Sequence, residues 1–307
     1  MMYVWLIVGF VLLVKGADYF VEGSSSVAKL LRIPSVIIGL TVVAFGTSAP
    51  EAAVSITAAM EGNNGIAVGN VIGSNIFNLL VVIGIGSIVR PIMADKKIMY
   101  GDFIYSIVIS VVLLIMIAFD LQSGRMDGII LIGFFAYFMY ATVKSALKNR
   151  ISAEEEIQSL TPLRSGIYIA LGLTAIIMGG NLVVDSATEI AETFGLSQNL
   201  IGLTIVAMGT SLPELVTSVV AAYKGENGLA LGNAIGSNIF NILMVLAVSS
   251  TIKSINVSIA SVYDLLCLIV FSVIAWAITR TSMKITRAEG FLMVGVYAGY
   301  MTYIIAR

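Results

Sequence analysis

Residues 38–51, IGLTVVAFGTSAPE, return almost unchanged as residues 201–214, IGLTIVAMGTSLPE. Downstream of each copy, GNVIGSNIFNLL at residues 69–80 matches GNAIGSNIFNIL at residues 232–243. Every matched pair is 163 residues apart. Solenoids instead stack many copies of a unit of about 20–45 residues. The chain is therefore predicted to be two homologous halves, each carrying one copy of both motifs.

The composition around these motifs is that of a protein embedded in lipid. Of the 307 residues, 58% are hydrophobic and 11% are charged, and the mean hydropathy is +1.00. Soluble domains carry about 25% charged residues, and no interior of this size hides so much apolar surface. Lys and Arg (17) nearly balance Asp and Glu (18), so no basic surface indicates a nucleic-acid partner. The absence of His and the presence of one cysteine, Cys267, argue against zinc sites, disulfides and most hydrolytic or redox enzymes.

The apolar stretches predict an all-α integral membrane protein, because a helix needs ~20 mostly apolar residues to cross a bilayer. The long runs do not fit the short alternating strands of a membrane barrel. Ten spans are expected at residues 3–28, 34–60, 66–89, 102–119, 128–147, 165–191, 199–222, 228–251, 260–279 and 288–305.

Five spans in each half make the repeats inverted, since an odd number of crossings turns the second half upside down. We predict a first five-helix repeat at residues 1–147, a polar linker at 148–164 and a second, inverted repeat at 165–307. The motif regions are 38–80 in the first repeat and 201–243 in the second. Inverted repeats of this kind are typical of secondary transporters, whose binding site lies near the membrane midplane.

The basic residues of the loops predict that both termini face outward. With the N-terminus outside, thirteen Lys and Arg residues fall on the inner side, against Arg125, Lys253 and Arg307 outside. The N-terminal run has no basic leader or cleavage site and is expected to remain as the first span. We expect a multi-pass protein of the cell membrane that works as a monomer.

Two carboxylates, Glu51 and Glu214, are the candidate chemical groups, because they fall deep within apolar spans. A charged side chain at the bilayer centre costs about 2.5–3.5 kcal/mol on insertion scales. A structural ion pair is the alternative, but no Lys or Arg is expected at matching depth. The sequence therefore predicts that the counter-charge is a mobile cation.

Hydroxyl groups and a proline accompany each carboxylate. Thr47 and Ser48 precede Glu51 by four and three residues, and would share its face of a continuous helix. Pro50 donates no backbone hydrogen bond and is expected to free carbonyls around Ala44 to Thr47. The second repeat has the same arrangement at Thr210, Ser211, Pro213, Glu214 and the carbonyls from Ala207 onward.

The third and eighth spans are expected to provide the facing wall. Ser74 and Asn78 are four residues apart, as are Ser237 and Asn241, which would give each helix a stripe of neutral oxygens. Four further amides are either ligands or, as we expect from their spacing, hydrogen-bond partners between helices: Asn70, Asn75, Asn233 and Asn238.

An all-oxygen site selects hard cations. Ca²⁺ takes about 6–8 oxygen ligands in flexible geometry, and two carboxylates balance its charge. Several Na⁺ ions could share the same oxygens. Mg²⁺ demands a rigid octahedron, and soft metals need nitrogen or sulfur ligands. No cofactor is expected, and Ca²⁺ and Na⁺ are expected as transported ions.

The paired GTSxPE and GNxxGSNIFN motifs resemble the alpha repeats of the sodium/calcium exchanger family, within the cation/calcium exchanger superfamily. The resemblance implies Na⁺/Ca²⁺ antiport by alternating access. It assigns Glu51, Glu214, Thr47 and Thr210 to the calcium site. It assigns further groups to the sodium sites or their lining: Ser74, Ser237, Asn78, Ser48, Ser211 and the backbone of Ala44 and Ala207.

Asn241 departs from the family's potassium-dependent members, some of which have Asp there, so transport is expected to be independent of K⁺. An H⁺/Ca²⁺ antiporter using the same glutamates remains the alternative, although that branch typically has GNxxE in place of GTSxPE. A channel would need a continuous pore. An enzyme is disfavoured because symmetry-related carboxylates would not be expected to divide into acid and base.

Overall fold

The computed structural model describes residues 1–148, 160–195 and 207–306 as a helical bundle. The helices, labelled α1–α12 in chain order, are Met2–Leu31, Ser35–Thr47, Ala49–Glu61, Asn64–Val89, Ile98–Ile117, Arg125–Lys148, Pro162–Thr193, Ala207–Gly209, Leu212–Lys224, Asn227–Ile252, Ile259–Ser282 and Arg287–Ala306.

These helices reproduce the predicted spans within the described residues. Eight of them are long and apolar enough to cross a membrane, and the bent pair α2 and α3 adds a ninth span. The remaining predicted span, 199–222, is described from α8 onward, and its residues 199–206 lie outside the described residues. The count of ten therefore stays a prediction, as does most of the linker, because residues 149–159 are also outside them.

The bend between α2 and α3 follows from Pro50. The two helices meet at 50°. Ser48, at the junction, has φ −82° and ψ 8°, and Pro50 lies in the first turn of α3, where its missing N–H costs nothing. Ser211 repeats this conformation with φ −93° and ψ 6°, and Pro213 lies in the first turn of α9. Each predicted span with a GTSxPE motif is thus broken beside its carboxylate.

Two short antiparallel strand pairs, absent from the sequence prediction, tie distant loops together. Strand β1 (Ile92–Met93) pairs with β4 (Lys284–Ile285), and β2 (Gln122–Ser123) pairs with β3 (Ile255–Asn256). Paired loops must lie at the same end of the bundle.

Helices α4 and α10, the most buried of the spanning helices, form the centre of the bundle. Each contains a segment of wider π-helix, at Asn78–Val82 in α4 and Asn241–Leu246 in α10. Such segments are rare and frequently occur at functional sites. The predicted candidates Asn78 and Asn241 are the first residues of these two segments.

Helices α1 and α7 pack against each other along their lengths through glycines. A Cβ atom added at Gly16 would lie 2.8 Å from the carbonyl oxygen of Gly172, and one added at Gly179 would lie 2.7 Å from that of Gly9. Small residues in such positions let helix backbones approach closely. The two long helices therefore form a tight antiparallel pair beside the central core.

Candidate cation-binding site

The two candidate carboxylates lie at the centre of the bundle, where both side chains are fully buried. Glu51 is in the first turn of α3, and Glu214 is in the first turn of α9. Helix N-termini carry partial positive charge and favour a nearby negative group. The breaks caused by Pro50 and Pro213 thus place a favourable helix end at each glutamate.

Each glutamate receives its shortest hydroxyl hydrogen bond from the other repeat. Ser211 Oγ donates to Glu51 Oε1 at 2.9 Å, and Ser48 Oγ donates to Glu214 Oε1 at 2.7 Å. The prediction that Ser48 shares the face of Glu51 was wrong in its pairing, because it assumed a continuous helix. The bend at Ser48 turns its hydroxyl toward the opposite carboxylate. This exchange brings the two predicted oxygen clusters together in one site.

The predicted threonines also reach across the repeats. Thr47 Oγ1 donates to Asn233 Oδ1 at 3.0 Å, and Thr210 Oγ1 donates to Asn70 Oδ1 at 3.3 Å. They therefore contact amides of α10 and α4, instead of forming a local cluster with the glutamate four residues later. Both threonines still line the junction at which the half-helices meet.

Two serines that the sequence reasoning missed hold these amides in place. Asn70 Nδ2 donates to Ser55 Oγ at 2.9 Å and to the backbone oxygen of Glu51 at 3.3 Å. Asn233 Nδ2 makes the same two bonds, to Ser218 Oγ at 2.9 Å and the Glu214 carbonyl at 3.3 Å. Ser55 and Ser218 obey the 163-residue offset, which is the signal that could have identified them.

The predicted wall from α4 and α10 faces the carboxylates. Ser74 Oγ lies 3.0 Å from Ser211 Oγ, and Ser237 Oγ donates to Glu214 Oε1 at 3.4 Å. Asn78 and Asn241 are fully buried one turn further along. The structure therefore brings the hydroxyls of Ser74 and Ser237 to the carboxylates and buries the two amides on the same helices.

A reciprocal amide pair joins the two central helices, as expected for these residues. Asn75 Nδ2 donates to the backbone oxygen of Asn238, and Asn238 Nδ2 donates to that of Asn75, both at 3.2 Å. Asn241 Nδ2 also donates to Asn75 Oδ1 at 3.1 Å. These bonds fix the spacing of α4 and α10 beside the site.

Four buried oxygens of the site have no hydrogen-bond donor among the described residues: Glu51 Oε2, Glu214 Oε2, Asn78 Oδ1 and Asn241 Oδ1. Buried polar atoms are normally hydrogen-bonded, since leaving one unsatisfied costs about 1–3 kcal/mol. These four form two pairs related by the internal repeat. The donor set is therefore one that a cation with oxygen ligands would complete.

The predicted backbone ligands are the carbonyl oxygens of Ala44 and Ala207. The carbonyl oxygen of Ala44 accepts the Ser48 N–H at 3.0 Å, so it keeps its helical bond, and the expectation that Pro50 frees it was wrong. Pro50 instead deprives the carbonyl of Gly46, four residues earlier, of its helical donor. The Ala44 carbonyl oxygen also lies 3.4 Å from Thr47 Oγ1, so both of its lone pairs face donors within its own helix. Ala207 is the first described residue of α8.

No fixed positive charge neutralises the site within residues 1–148, 160–195 and 207–306. The ion pairs found there join Lys224 to Asp18 and Glu22, away from both buried carboxylates. Two carboxylates in a low-dielectric interior are costly unless a counter-charge accompanies them. The arrangement can therefore bind one divalent cation or several monovalent cations.

Comparison with known proteins agrees with this chemistry. The profile of the family described as sodium/calcium exchanger protein matches residues 1–144 and 164–306. The chain is 38% identical to the putative antiporter CaxA of Alkalimonas amylolytica over 97% of its length and 96% of that protein. It is 32% identical to the sodium/calcium exchanger MaX1 of Methanosarcina acetivorans, over 97% of both chains.

A solved structure has the same fold. The sodium-calcium exchanger NCX_Mj, soaked with Na⁺ and Sr²⁺, superimposes with a TM-score of 0.87 at 32% sequence identity. The match covers 98% of this chain and 97% of that one. Similarity therefore extends over both inverted repeats and includes the elements that carry the buried carboxylates.

Proposed function

The chain belongs to the sodium/calcium exchanger family, and from that premise we propose how it exchanges Na⁺ for Ca²⁺ across a membrane. The observation that carries the proposal is the pair of buried glutamates, each with one oxygen that lacks a donor among the described residues. A cation entering between the repeats would satisfy both oxygens at once. Ca²⁺ matches their combined charge, and Na⁺ ions can use the same ligands in turn.

The proposed calcium ligands are Glu51, Glu214, Thr47 and Thr210. The proposed sodium ligands share those groups and add Ser74, Ser237, Asn78, Asn241, Ser48, Ser211 and the backbone of Ala44 and Ala207. The cross-repeat hydrogen bonds support the inclusion of Ser48 and Ser211. A serine that donates its proton to a carboxylate still offers its oxygen to a neighbouring ion.

Transport is proposed to proceed by alternating access. The half-helices α2, α3, α8 and α9, with α4 and α10, would form a fixed core that holds the ions. The tightly packed α1–α7 pair would slide across this core and expose the site to one side at a time. An empty site would leave two uncompensated carboxylates in a low-dielectric interior, and this cost opposes movement of the unloaded carrier.

Exchange is proposed to be electrogenic and independent of K⁺. Several Na⁺ ions exchanged for one Ca²⁺ would move net charge across the membrane. Asn241 supplies an amide and no additional negative charge for K⁺, and its Nδ2 is already bonded to Asn75 Oδ1. The protein is proposed to act as a monomer of the cell membrane with both termini outside, without a cofactor or catalytic activity.

The direct test is ⁴⁵Ca²⁺ uptake into proteoliposomes loaded with Na⁺ and diluted into Na⁺-free buffer. Uptake is expected to require the outward Na⁺ gradient, to saturate with Ca²⁺, and to be unchanged when K⁺ is omitted. Ca²⁺ flux that survives collapse of the Na⁺ gradient but follows an imposed pH gradient would instead establish the H⁺/Ca²⁺ alternative.

A further inference from the structure

A lysine joins the α1 helix to the end of the core half-helix α9. Lys224 is the last residue of α9, and its Nζ lies 2.5 Å from Asp18 Oδ1 and 3.9 Å from Glu22 Oε2 of α1. It also donates to the backbone oxygen of Asp18 at 3.1 Å. Ser25 Oγ donates to Glu226 Oε1 at 2.5 Å just beyond it. We call this contact the α1–α9 seam.

The symmetry-related contact, the α7–α3 seam, borders a different cavity. About 410 Å³ lies between the two helices, lined on α3 by Pro50 and on α7 by Asn181 and Asp185. Thr210 also lines it, so the cavity extends to residues adjacent to Glu51 and Ser211. At the α1–α9 seam, the neighbouring cavity is bounded by Lys224 and Glu226 and has no predicted ion ligand in its lining. The cavity at the α7–α3 seam thus reaches a predicted ion ligand, whereas the cavity at the α1–α9 seam does not, and the two glutamates themselves are fully buried.

The backbone framework of the two seams is nearly the same. Gly62 and Gly225 end α3 and α9 with φ values of 86° and 82°. A cation contacts a carbonyl at the end of each helix, since Lys253 Nζ lies 3.5 Å from the Met60 oxygen and Arg90 Nη1 lies 3.2 Å from the Tyr223 oxygen. The backbone at these helix ends therefore does not explain why only the α7–α3 cavity reaches a predicted ion ligand.

The charges of the two seams do differ. At the 163-residue offset, Lys224 corresponds to Glu61, Glu22 to Asp185, and Asp18 to Asn181. Closing the α7–α3 seam would bring Glu61 toward Asp185, two like charges, where the α1–α9 seam brings a lysine to two carboxylates. Attraction at the α1–α9 seam and repulsion at the α7–α3 seam would both favour the conformation in which the first seam is closed and the second is open.

We propose that Lys224 is a positioning residue that holds α1 against α9 and so favours the conformation whose ion site opens at the α7–α3 seam. The inference rests on the proposed alternating access. A partly exposed ion pair changes an equilibrium constant by about two- to fivefold, so Lys224 sets a preference between conformations without preventing the transition.

The test measures access to each seam with one engineered cysteine at a time. Replacing the single cysteine with Cys267→Ala gives the background. Ala53→Cys reports on the α7–α3 cavity that Ala53 lines, and Val216→Cys reports on the counterpart position 163 residues later. In proteoliposomes, Lys224→Gln is expected to raise the labelling rate of Val216→Cys two- to fivefold with a hydrophilic maleimide. Asp18→Asn, which removes the same contact from α1, is expected to act in the same direction.

Two further variants separate a positioning role from general destabilisation. Lys224→Arg should restore the original labelling pattern. Glu61→Lys, which places a lysine opposite Asp185, should act in the opposite direction and slow labelling of Ala53→Cys. If Na⁺ and Ca²⁺ change labelling but Lys224→Gln and Asp18→Asn do not, the role of Lys224 is refuted and exchange is not. If neither ions nor variants change labelling at either position, alternating access itself is refuted.

Discussion

Replacing Gly172 with alanine should weaken the α1–α7 pair. The added Cβ would lie 2.6 Å from the Phe20 nitrogen, 2.7 Å from the Gly16 carbonyl oxygen and 2.9 Å from the Phe20 Cα. All three are backbone atoms, which cannot rotate away. Because carbon contacts are favourable at about 3.5–4.0 Å, the helices would have to separate by roughly 1 Å. Overpacking of this kind costs about 1–3 kcal/mol.

Gly166 on the same helix provides the matched control, since a Cβ there meets nothing within 4 Å. Both substitutions gain about 1 kcal/mol of helix propensity, so the difference between the variants isolates the packing cost. For a chain of this size, that difference corresponds to roughly 2–10 °C in melting temperature. The assay is thermal loss of the monodisperse peak in size-exclusion chromatography after solubilisation in detergent.

The expected order of melting temperatures places Gly172→Ala clearly below Gly166→Ala. Gly16→Ala should resemble Gly172→Ala, because its Cβ would lie 2.8 Å from the Gly172 carbonyl oxygen. Equal melting temperatures for Gly172→Ala and Gly166→Ala would show that the two helices do not pack through their backbones, and would refute the reasoning.

Three other outcomes are expected. Asn75→Ala should lower the melting temperature, because it removes the acceptor of the Asn241 side-chain amide and the side-chain donor to the Asn238 backbone oxygen, at a cost of about 1–3 kcal/mol, whereas Asn63→Ala, at an exposed position, should not. Ser211→Ala should raise the half-saturating Ca²⁺ concentration for uptake about tenfold or more, because Glu51 loses a charge-assisted hydrogen bond of about 1.5–3 kcal/mol; an unchanged value would contradict this role. An inside-positive potential should accelerate Na⁺-driven Ca²⁺ uptake, since each net charge contributes about 2.3 kcal/mol per 100 mV, and voltage-insensitive uptake would reject electrogenic exchange.

Much of the fold could be predicted from the sequence, because the internal duplication and the apolar runs each extend over many residues. The 163-residue offset identified two repeats, and the apolar runs located the spans that the structure describes. Pro50 and Pro213 were the local signals for the helix breaks beside the glutamates, because proline interrupts a helix wherever it occurs inside one, but the predicted grouping of side chains assumed continuous helices.

The hydrogen-bond partners of the site residues could not be predicted from the sequence. Spacing along a straight helix placed Ser48 beside Glu51, but the bend gives its hydroxyl to Glu214. The π-helical segments at Asn78 and Asn241 and the two strand pairs depend on packing between elements distant in sequence, which local periodicity does not encode.

The charge asymmetry of the seams was visible in sequence only after the structure supplied its geometry. The offset relates Lys224 to Glu61, yet nothing local indicates that Lys224 reaches Asp18, 206 residues away. Inverted repeats hide such contacts, because equivalent residues lie at opposite ends of the bundle. Such contacts become visible only when the residues of one seam are matched to those of the other at the 163-residue offset.

The central claim is that two carboxylates, one from each repeat, together neutralise the charge of the transported ion. Its most direct test is ⁴⁵Ca²⁺ uptake into Na⁺-loaded proteoliposomes by Glu51→Gln and Glu214→Gln, with Glu61→Gln, at the exposed end of α3, as the matched control. We expect either site variant to abolish Na⁺-driven uptake and the control to retain it. Uptake at the unsubstituted rate by Glu51→Gln or by Glu214→Gln would contradict the claim.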